Sequence, residues 1–391
     1  MPINPFKSWF LLDPDIIFLN HGSFGACPRP VFENYQWWQR ELERQPVEFL
    51  GRRVTSLMAQ ARGELANYVG VATDDILFFP NPTTAINMVA RSLKLEPGDE
   101  ILTTDHEYGA MDRTWRFICN KTGAKYVRCP IPLPVTSHQE FVERFWRAVT
   151  DRTRVIFLSH ITSSTALIFP VQEICRRARQ AGLLSVIDGA HAPGQIPLNL
   201  RELGPDLYSG ACHKWVCSPK GSSFLYARPE TQSWLEPLVV SWGWGDGGDF
   251  PPTPGMGNTP FISSHEWQGT RDLAAFLATP TAIRFQAEHN WEAIRAECHA
   301  LASETRQRVN ELTDLEAICP DSRDWFGQMT TIRLPQVDVD TLKIRLYDEF
   351  RIEAPVIEWN GQQFIRVSFQ AYNSPEDANA LLQALEVLLP R

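Results

Sequence analysis

Leu183-Leu-Ser-Val-Ile-Asp-Gly-Ala-His191 and Asp206-Leu-Tyr-Ser-Gly-Ala-Cys-His-Lys-Trp215 decide the fold, because each is a short apolar run that ends in chemistry-bearing residues. Near-continuous apolar runs mark strands buried on both faces, whereas a strand with one wet face alternates apolar and polar positions. The same unit recurs upstream, at Ile76-Leu-Phe-Phe79, Glu100-Ile-Leu-Thr103, Lys125-Tyr-Val-Arg128 and Val155-Ile-Phe-Leu158, with helical patterns between them. Strands spaced by helices give an α/β fold with a mainly parallel sheet and helices on both faces. Ligands of such a sheet bind beyond the carboxyl ends of its strands, where the polar residues of the quoted stretches fall.

Beyond about residue 272 the rhythm changes. Long helical patterns over roughly 273–313 lead to strand candidates Thr330-Thr-Ile-Arg333, Val356-Ile-Glu-Trp359 and Phe364-Ile-Arg-Val-Ser368, then a helical pattern near 375–389. The expected organisation is an N-terminal segment 1–19, a large sheet domain 20–272 and a small C-terminal α+β domain 273–391. Between the two domains, Ser241-Trp-Gly-Trp-Gly-Asp-Gly-Gly-Asp-Phe-Pro-Pro-Thr-Pro-Gly255 reads as an irregular loop packed on a cleft wall or a partner subunit.

Composition narrows the class. A chain of 391 residues, 43% hydrophobic and 21% charged, is an ordinary globular protein, and its net charge of −9 argues against nucleic acid as a partner. Cys27, Cys119, Cys129, Cys175, Cys212, Cys217, Cys298 and Cys319 are scattered without a CxxC pair, in a chain too large to need disulfide staples, so a reducing cytoplasm is expected. No apolar run approaches the roughly 20 residues that span a bilayer, and Met1-Pro-Ile-Asn-Pro-Phe-Lys7 lacks the regions of a signal peptide, so no membrane partner is expected.

An amine and a carboxylate at neighbouring strand ends are what an enzyme needs to hold pyridoxal phosphate. Lys214 forms a Schiff base with the aldehyde, and Asp188 keeps the pyridine nitrogen protonated. A lysine amid His213 and Trp215 is desolvated, which lowers its proton affinity and makes it nucleophilic. Asn81-Pro-Thr-Thr-Ala-Ile-Asn87, directly after a strand, offers Thr83 and Thr84 at a helix start that suits a phosphate, with plain helix capping as the competing reading.

His106 and Tyr108, at the next strand end, are the rings available to sandwich a flat cofactor. His160, Ser163 and Ser164 end another strand, where they either bond the cofactor's phenolic oxygen or simply form a turn. Arg366, amid apolar neighbours in Phe364-Ile-Arg-Val-Ser368, wants a carboxylate: that of an amino-acid substrate, or a structural partner. Gly243-Trp-Gly-Asp-Gly-Gly248 matches a dinucleotide fingerprint but runs into Asp-Phe-Pro-Pro-Thr-Pro, which opens no helix. Cys212, His213 and Cys217 lack a second ligand pair, so no metal is expected.

Taken together, Phe18-Leu-Asn-His-Gly-Ser-Phe-Gly25, Asn81-Pro-Thr-Thr84, Asp105-His-Glu-Tyr108, Leu158-Ser-His-Ile161, Asp188-Gly-Ala-His191, His213-Lys-Trp215, Gln268-Gly-Thr-Arg-Asp272 and Ile365-Arg-Val-Ser368 resemble the class V aminotransferase family of fold-type I pyridoxal-phosphate enzymes. The resemblance spans nearly the whole chain and is strongest to the isopenicillin N epimerase-like branch. It implies that Lys214 carries the cofactor, that Asp188 pairs with the pyridine nitrogen, and that Thr83, Thr84 and His213 surround the phosphate. Tyr108 takes the ring-stacking position, and His191 and Ser164 the positions facing the phenolic oxygen, where many relatives have glutamine and several have asparagine. Arg366 would hold the substrate carboxylate and Asn20 would line the substrate pocket. A homodimer is also implied, with Gly269-Thr270 reaching the neighbouring subunit's phosphate site.

The expected activity is therefore chemistry at Cα of an amino acid or small peptide, with Lys214 as general base. Epimerisation comes first; cysteine or cystine C–S lysis and transamination are the enzymatic alternatives. Desulfurases of this superfamily carry a persulfide-forming cysteine before the carboxylate-binding arginine, and here no cysteine follows Cys319. A non-catalytic cofactor-binding module is the alternative of another class. Intact Lys214, Asp188 and Arg366, and no DNA-binding pattern in these residues, argue against it.

Overall fold

The computed structural model describes residues 6–246 and 257–390. Its strands are β1 (Ile17–Phe18), β2 (Ile76–Phe79), β3 (Glu100–Thr104), β4 (Lys125–Cys129), β5 (Thr153–Ser159), β6 (Leu184–Gly189), β7 (Leu207–Ala211), β8 (Ser223–Ala227), β9 (Met329–Leu334), β10 (Ile352–Glu353), β11 (Val356–Trp359) and β12 (Gln362–Ser368). Seven of them form one sheet in the order β2-β8-β7-β6-β5-β3-β4. All run in the same direction except β8, which is antiparallel to both β2 and β7. Because six strands point one way, their carboxyl ends fall on one edge, and the six runs read as strands from sequence are all among them.

The central strands are apolar on both faces because helices cover both. Phe78, Ile156, Leu158 and Ile187 belong to one buried cluster, whereas Leu77, Phe79, Phe157 and Val186 belong to another. Burial of roughly twenty such side chains is the dominant favourable contribution to folding, at about 1.5–3 kcal/mol each before chain entropy is subtracted.

β8 went unread in the sequence because Ser223-Phe-Leu-Tyr-Ala227 follows β7 through the loop 212–222 with no helix before it. Its reversed direction needs none, since antiparallel strands are joined directly. The helical stretch expected over 273–313 is three helices, Ala274–Leu277, Thr279–Glu288 and Trp291–Thr313. The last break falls at Asn290, whose left-handed φ of 46° ends regular hydrogen bonding.

Beyond them β11, β12 and β9 make a three-stranded antiparallel sheet, flanked by the helices Val339–Phe350 and Pro375–Leu388. The chain's beginning joins this unit: β1 pairs in parallel with β10, and the Asn20 backbone bridges to Ser368. That pairing carries the segment after β1, His21–Gly25, between the C-terminal sheet and the end of β7. Of the Gly- and Trp-rich loop, residues 247–256 lie outside the described residues, as do the first five of the chain. No helix among the described residues is long and apolar enough to cross a membrane, and all eight cysteines are free.

Candidate active site

A cavity of about 330 Å³ opens at the carboxyl edge of the sheet. The elements around it deliver polar side chains at or just beyond the carboxyl ends of the parallel strands, from one helix start and from the C-terminal sheet. Asp188 is the penultimate residue of β6, Ser159 ends β5, Tyr108 follows β3, and His213 and Lys214 follow β7; Thr83 lies in the first turn of the helix after β2, and Arg366 comes from β12.

Asp188 is 3% exposed, and burial raises its proton affinity against the lowering effect of the Ala190 amide, which donates to Oδ1 at 2.9 Å, and of Lys214. Lys214 has its amine drawn down to about 7, mainly by burial and then by the Arg366 charge, with Asp188 opposing. No carboxylate among the described residues lies within ion-pairing distance of Lys214; Nζ meets His191 Nε2 at 3.1 Å. His191 is buried and held neutral, first by burial and next by the Lys214 charge.

Lys214 is anchored from behind. His21 Nε2 bonds its carbonyl at 3.0 Å while His21 Nδ1 meets the Tyr372 hydroxyl at 3.0 Å. Gly25, at φ 69°, lies so close that a Cβ there would stand 2.0 Å from the His213 carbonyl oxygen. The N-terminal Asn-His-Gly-Ser-Phe-Gly motif is thus a seat for the His213-Lys214 turn.

At the opposite wall Arg366 is 6% exposed. Nη1 donates to the Ser163 carbonyl at 2.6 Å and Nη2 to Ser23 Oγ at 2.9 Å, whereas Nε has no partner. Burial draws the guanidinium down to about 10. No carboxylate among the described residues pairs with it, which sets aside the structural ion pair left open by the sequence. A buried cation without a counter-charge is costly unless an anion joins it.

The helix Pro82–Ser92 begins with Asn81 as cap: Oδ1 accepts from the Thr84 amide at 2.9 Å and from Thr84 Oγ1 at 3.0 Å. Thr84 is therefore engaged with its own cap, while Asn81, Pro82 and Thr83 line the cavity. His213 donates from Nδ1 to the Ser222 carbonyl at 3.0 Å, leaving Nε2 for the cavity. Of the two candidate stacking rings, Tyr108 lines the cavity and His106 is fully buried, bonding Thr165 Oγ1 and the Ile131 carbonyl.

Four further expected residues do not line the cavity of this chain. Ser164 offers its carbonyl to Thr331, and it is the adjacent Ser163 that faces in. Asn20 donates to Glu353 at 2.9 Å and accepts from Ser23, so it reaches Arg366 through that hydroxyl. Thr270 is exposed and outside this chain's cavity. His160 bonds the Tyr208 hydroxyl at 2.9 Å instead of entering the site. Ser23, Phe24, Met111, Ser159 and Ile161 line the cavity without having been assigned roles from sequence; Ser23, Phe24, Ser159 and Ile161 lie inside motifs already singled out, whereas Met111 carried no signal.

The chain is similar to known proteins along nearly its whole length. The family model described as Aminotransferase class-V matches residues 28–381. The chain is 37% identical over 382 residues to an isopenicillin N epimerase of Streptomyces clavuligerus, covering 97% of this chain and 96% of that one. It is 38% identical over 384 residues to the isopenicillin N epimerase of Amycolatopsis lactamdurans, covering 96% of each. Among solved structures, a cystine C–S lyase in complex with cysteine persulfide superposes with a TM-score of 0.83 at 22% identity, over 96% of this chain and 99% of that one.

Proposed function

Because this chain belongs to the class V aminotransferase family and is a pyridoxal-phosphate enzyme, we propose that it inverts the configuration at Cα of an amino acid or a small peptide with a free α-carboxylate. The cavity's donor set supports the fit of that cofactor. It holds a buried amine without an acid, a buried carboxylate with a single protein donor, and a helix start at Thr83 beside His213. We assign Lys214 to the aldehyde and Asp188 to the ring nitrogen. Thr83, the start of its helix and His213 take the phosphate, Tyr108 takes the ring face and His191 the phenolic oxygen. Once bound, the cofactor supplies an electron sink that acidifies Cα–H.

The chain's residues do the rest. Arg366 clamps the α-carboxylate with its two-toothed fork and fixes which bond at Cα is presented. Lys214, drawn down to about 7 by burial so that its uncharged form is well populated near neutral pH, takes the Cα proton at Nζ; a proton delivered to the other face completes inversion and leaves the substrate's composition unchanged. Asp188, kept as a carboxylate by a cationic ring nitrogen, stabilises the developing charge. The observation that supports this reading is Arg366: a buried guanidinium facing the cavity, with Nε unpartnered and no acid beside it among the described residues.

We also assign the chain to a homodimer, since Thr270 stands exposed outside its own cavity, and to the cytoplasm, since its cysteines are free. The test is a panel of amino acids and short peptides incubated in heavy water, following Cα deuteration, optical inversion, sulfide and keto acid together. Inversion with deuteration and no sulfide or keto acid is expected; sulfide or keto acid without inversion would replace the epimerase reading by a lyase or a transaminase.

A further inference from the structure

The bond between Lys214 and His191 continues one residue further. Trp215 Nε1 donates to His191 Nδ1 at 3.4 Å, and His191 Nε2 meets Lys214 Nζ at 3.1 Å. An indole N–H is a donor only, so Nδ1 must accept. A neutral imidazole has one N–H, which must then sit on Nε2 and point at the amine. An ammonium group has no lone pair to receive it, whereas a free amine does.

We propose that Trp215 is a positioning residue that fixes His191 as an Nε2–H donor and thereby holds the Lys214 amine in its uncharged, lone-pair form. The inference rests on Lys214 as the working amine. The geometry is rigid enough to impose it: Trp215 and His191 are 0% and 3% exposed, and the indole N–H has no other partner. Gln286 Nε2 ties the Trp215 carbonyl at 2.7 Å, and the His21 ring packs on the indole with centroids 4.9 Å apart. An unpaired indole N–H in that place would carry the desolvation cost of a lost bond.

The charged and titratable groups around the pair act in the same direction or nearly so. Arg366, His213 and His21 each disfavour a proton on His191, and Arg366 disfavours one on Lys214; Asp188 alone opposes. The same Nε2–H is a donor suited to a phenolate oxygen, so one tautomer serves the chain both with and without its cofactor.

The experiment uses full-length protein labelled with nitrogen-15 histidine, with cofactor and stripped of it. The pyridine-like nitrogen of His191 is expected at Nδ1; finding it at Nε2 in the stripped chain overturns the proposal. In the stripped chain, reductive methylation of Lys214 followed by mass spectrometry reads the amine directly. Trp215→Phe, which keeps the ring and removes the N–H, is expected to slow that labelling at pH 7 about fivefold, the loss of free amine when a group that titrates near 7 rises by about one unit. In a His191→Gln background, where an amide has no tautomer to fix, Trp215→Phe is expected to add nothing. An equal fivefold loss there, in place of none, would show a packing role and overturn the proposal. Failure of the cofactor to attach at Lys214 would sink the proposed function while leaving the tautomer result standing.

Discussion

Arg366 Nη2 donates to Ser23 Oγ across 2.9 Å, tying an arginine of the C-terminal sheet to a serine of the N-terminal segment at the wall of the cavity. Ser23 in turn donates to Asn20, whose amide is held by Glu353. The wall that carries Arg366 is thus built from both ends of the chain.

Arg366→Gln should lower kcat/KM for an α-amino acid by about 30-fold or more, since losing one partner of a buried charged pair costs about 2 kcal/mol or more. Cofactor affinity should change little, because no phosphate-facing group is touched. Ser23→Ala should fall between the two enzymes. Steady-state kinetics with a cofactor titration read both effects; equal losses in substrate and cofactor affinity would make Arg366 a structural residue.

The cofactor-free chain should carry a pH-dependent penalty at Lys214. Its amine is drawn from 10.5 to about 7 in the fold, so between those values the unfolded chain holds a proton that the folded chain has released, and stability rises with pH. Lys214→Met should therefore raise the denaturation midpoint most at pH 7 and below, with the gain shrinking toward pH 10. A gain independent of pH would place the effect in packing alone.

Gly25→Ala should disrupt the His213-Lys214 turn, because the position combines φ 69° with a contact no Cβ tolerates. The expected result is a folded chain with severely reduced cofactor occupancy, or loss of folding; normal occupancy and stability would contradict the seating role of the N-terminal motif.

Asn81→Ala removes the cap of the helix Pro82–Ser92 and should cost about 1 kcal/mol in denaturant unfolding of the cofactor-free chain. It should also weaken cofactor affinity beyond that of Thr84→Val, since Thr84 faces its cap and Thr83 faces the cavity.

Asp188 and Lys214 were legible in the sequence because each stands at the end of an apolar run, and the edge of a parallel sheet gathers whatever its strands end with. Arg366 was legible as a charge where its neighbours are apolar. Asn20 and Ser23 were legible only through the resemblance of the Phe18–Gly25 motif, since nothing local in the chain states that residues near 20 will lie against β12; that follows from the parallel pairing of β1 with β10, two residues long and invisible as a pattern. Thr84 and Ser164 show the other limit. Adjacent hydroxyls are equivalent in sequence, and only the cap geometry and the direction of the turn after β5 decide that Thr83 and Ser163 face the cavity.

The account's central claim is that Lys214 is the amine that carries the cofactor. The direct measurement is borohydride reduction of the protein loaded with pyridoxal phosphate, followed by peptide mass spectrometry. One phosphopyridoxyl group on Lys214, with a visible absorption band that Lys214→Ala abolishes at equal folded content, is the predicted result. A colourless wild type in excess cofactor, or a label on Lys220 in place of Lys214, would contradict it.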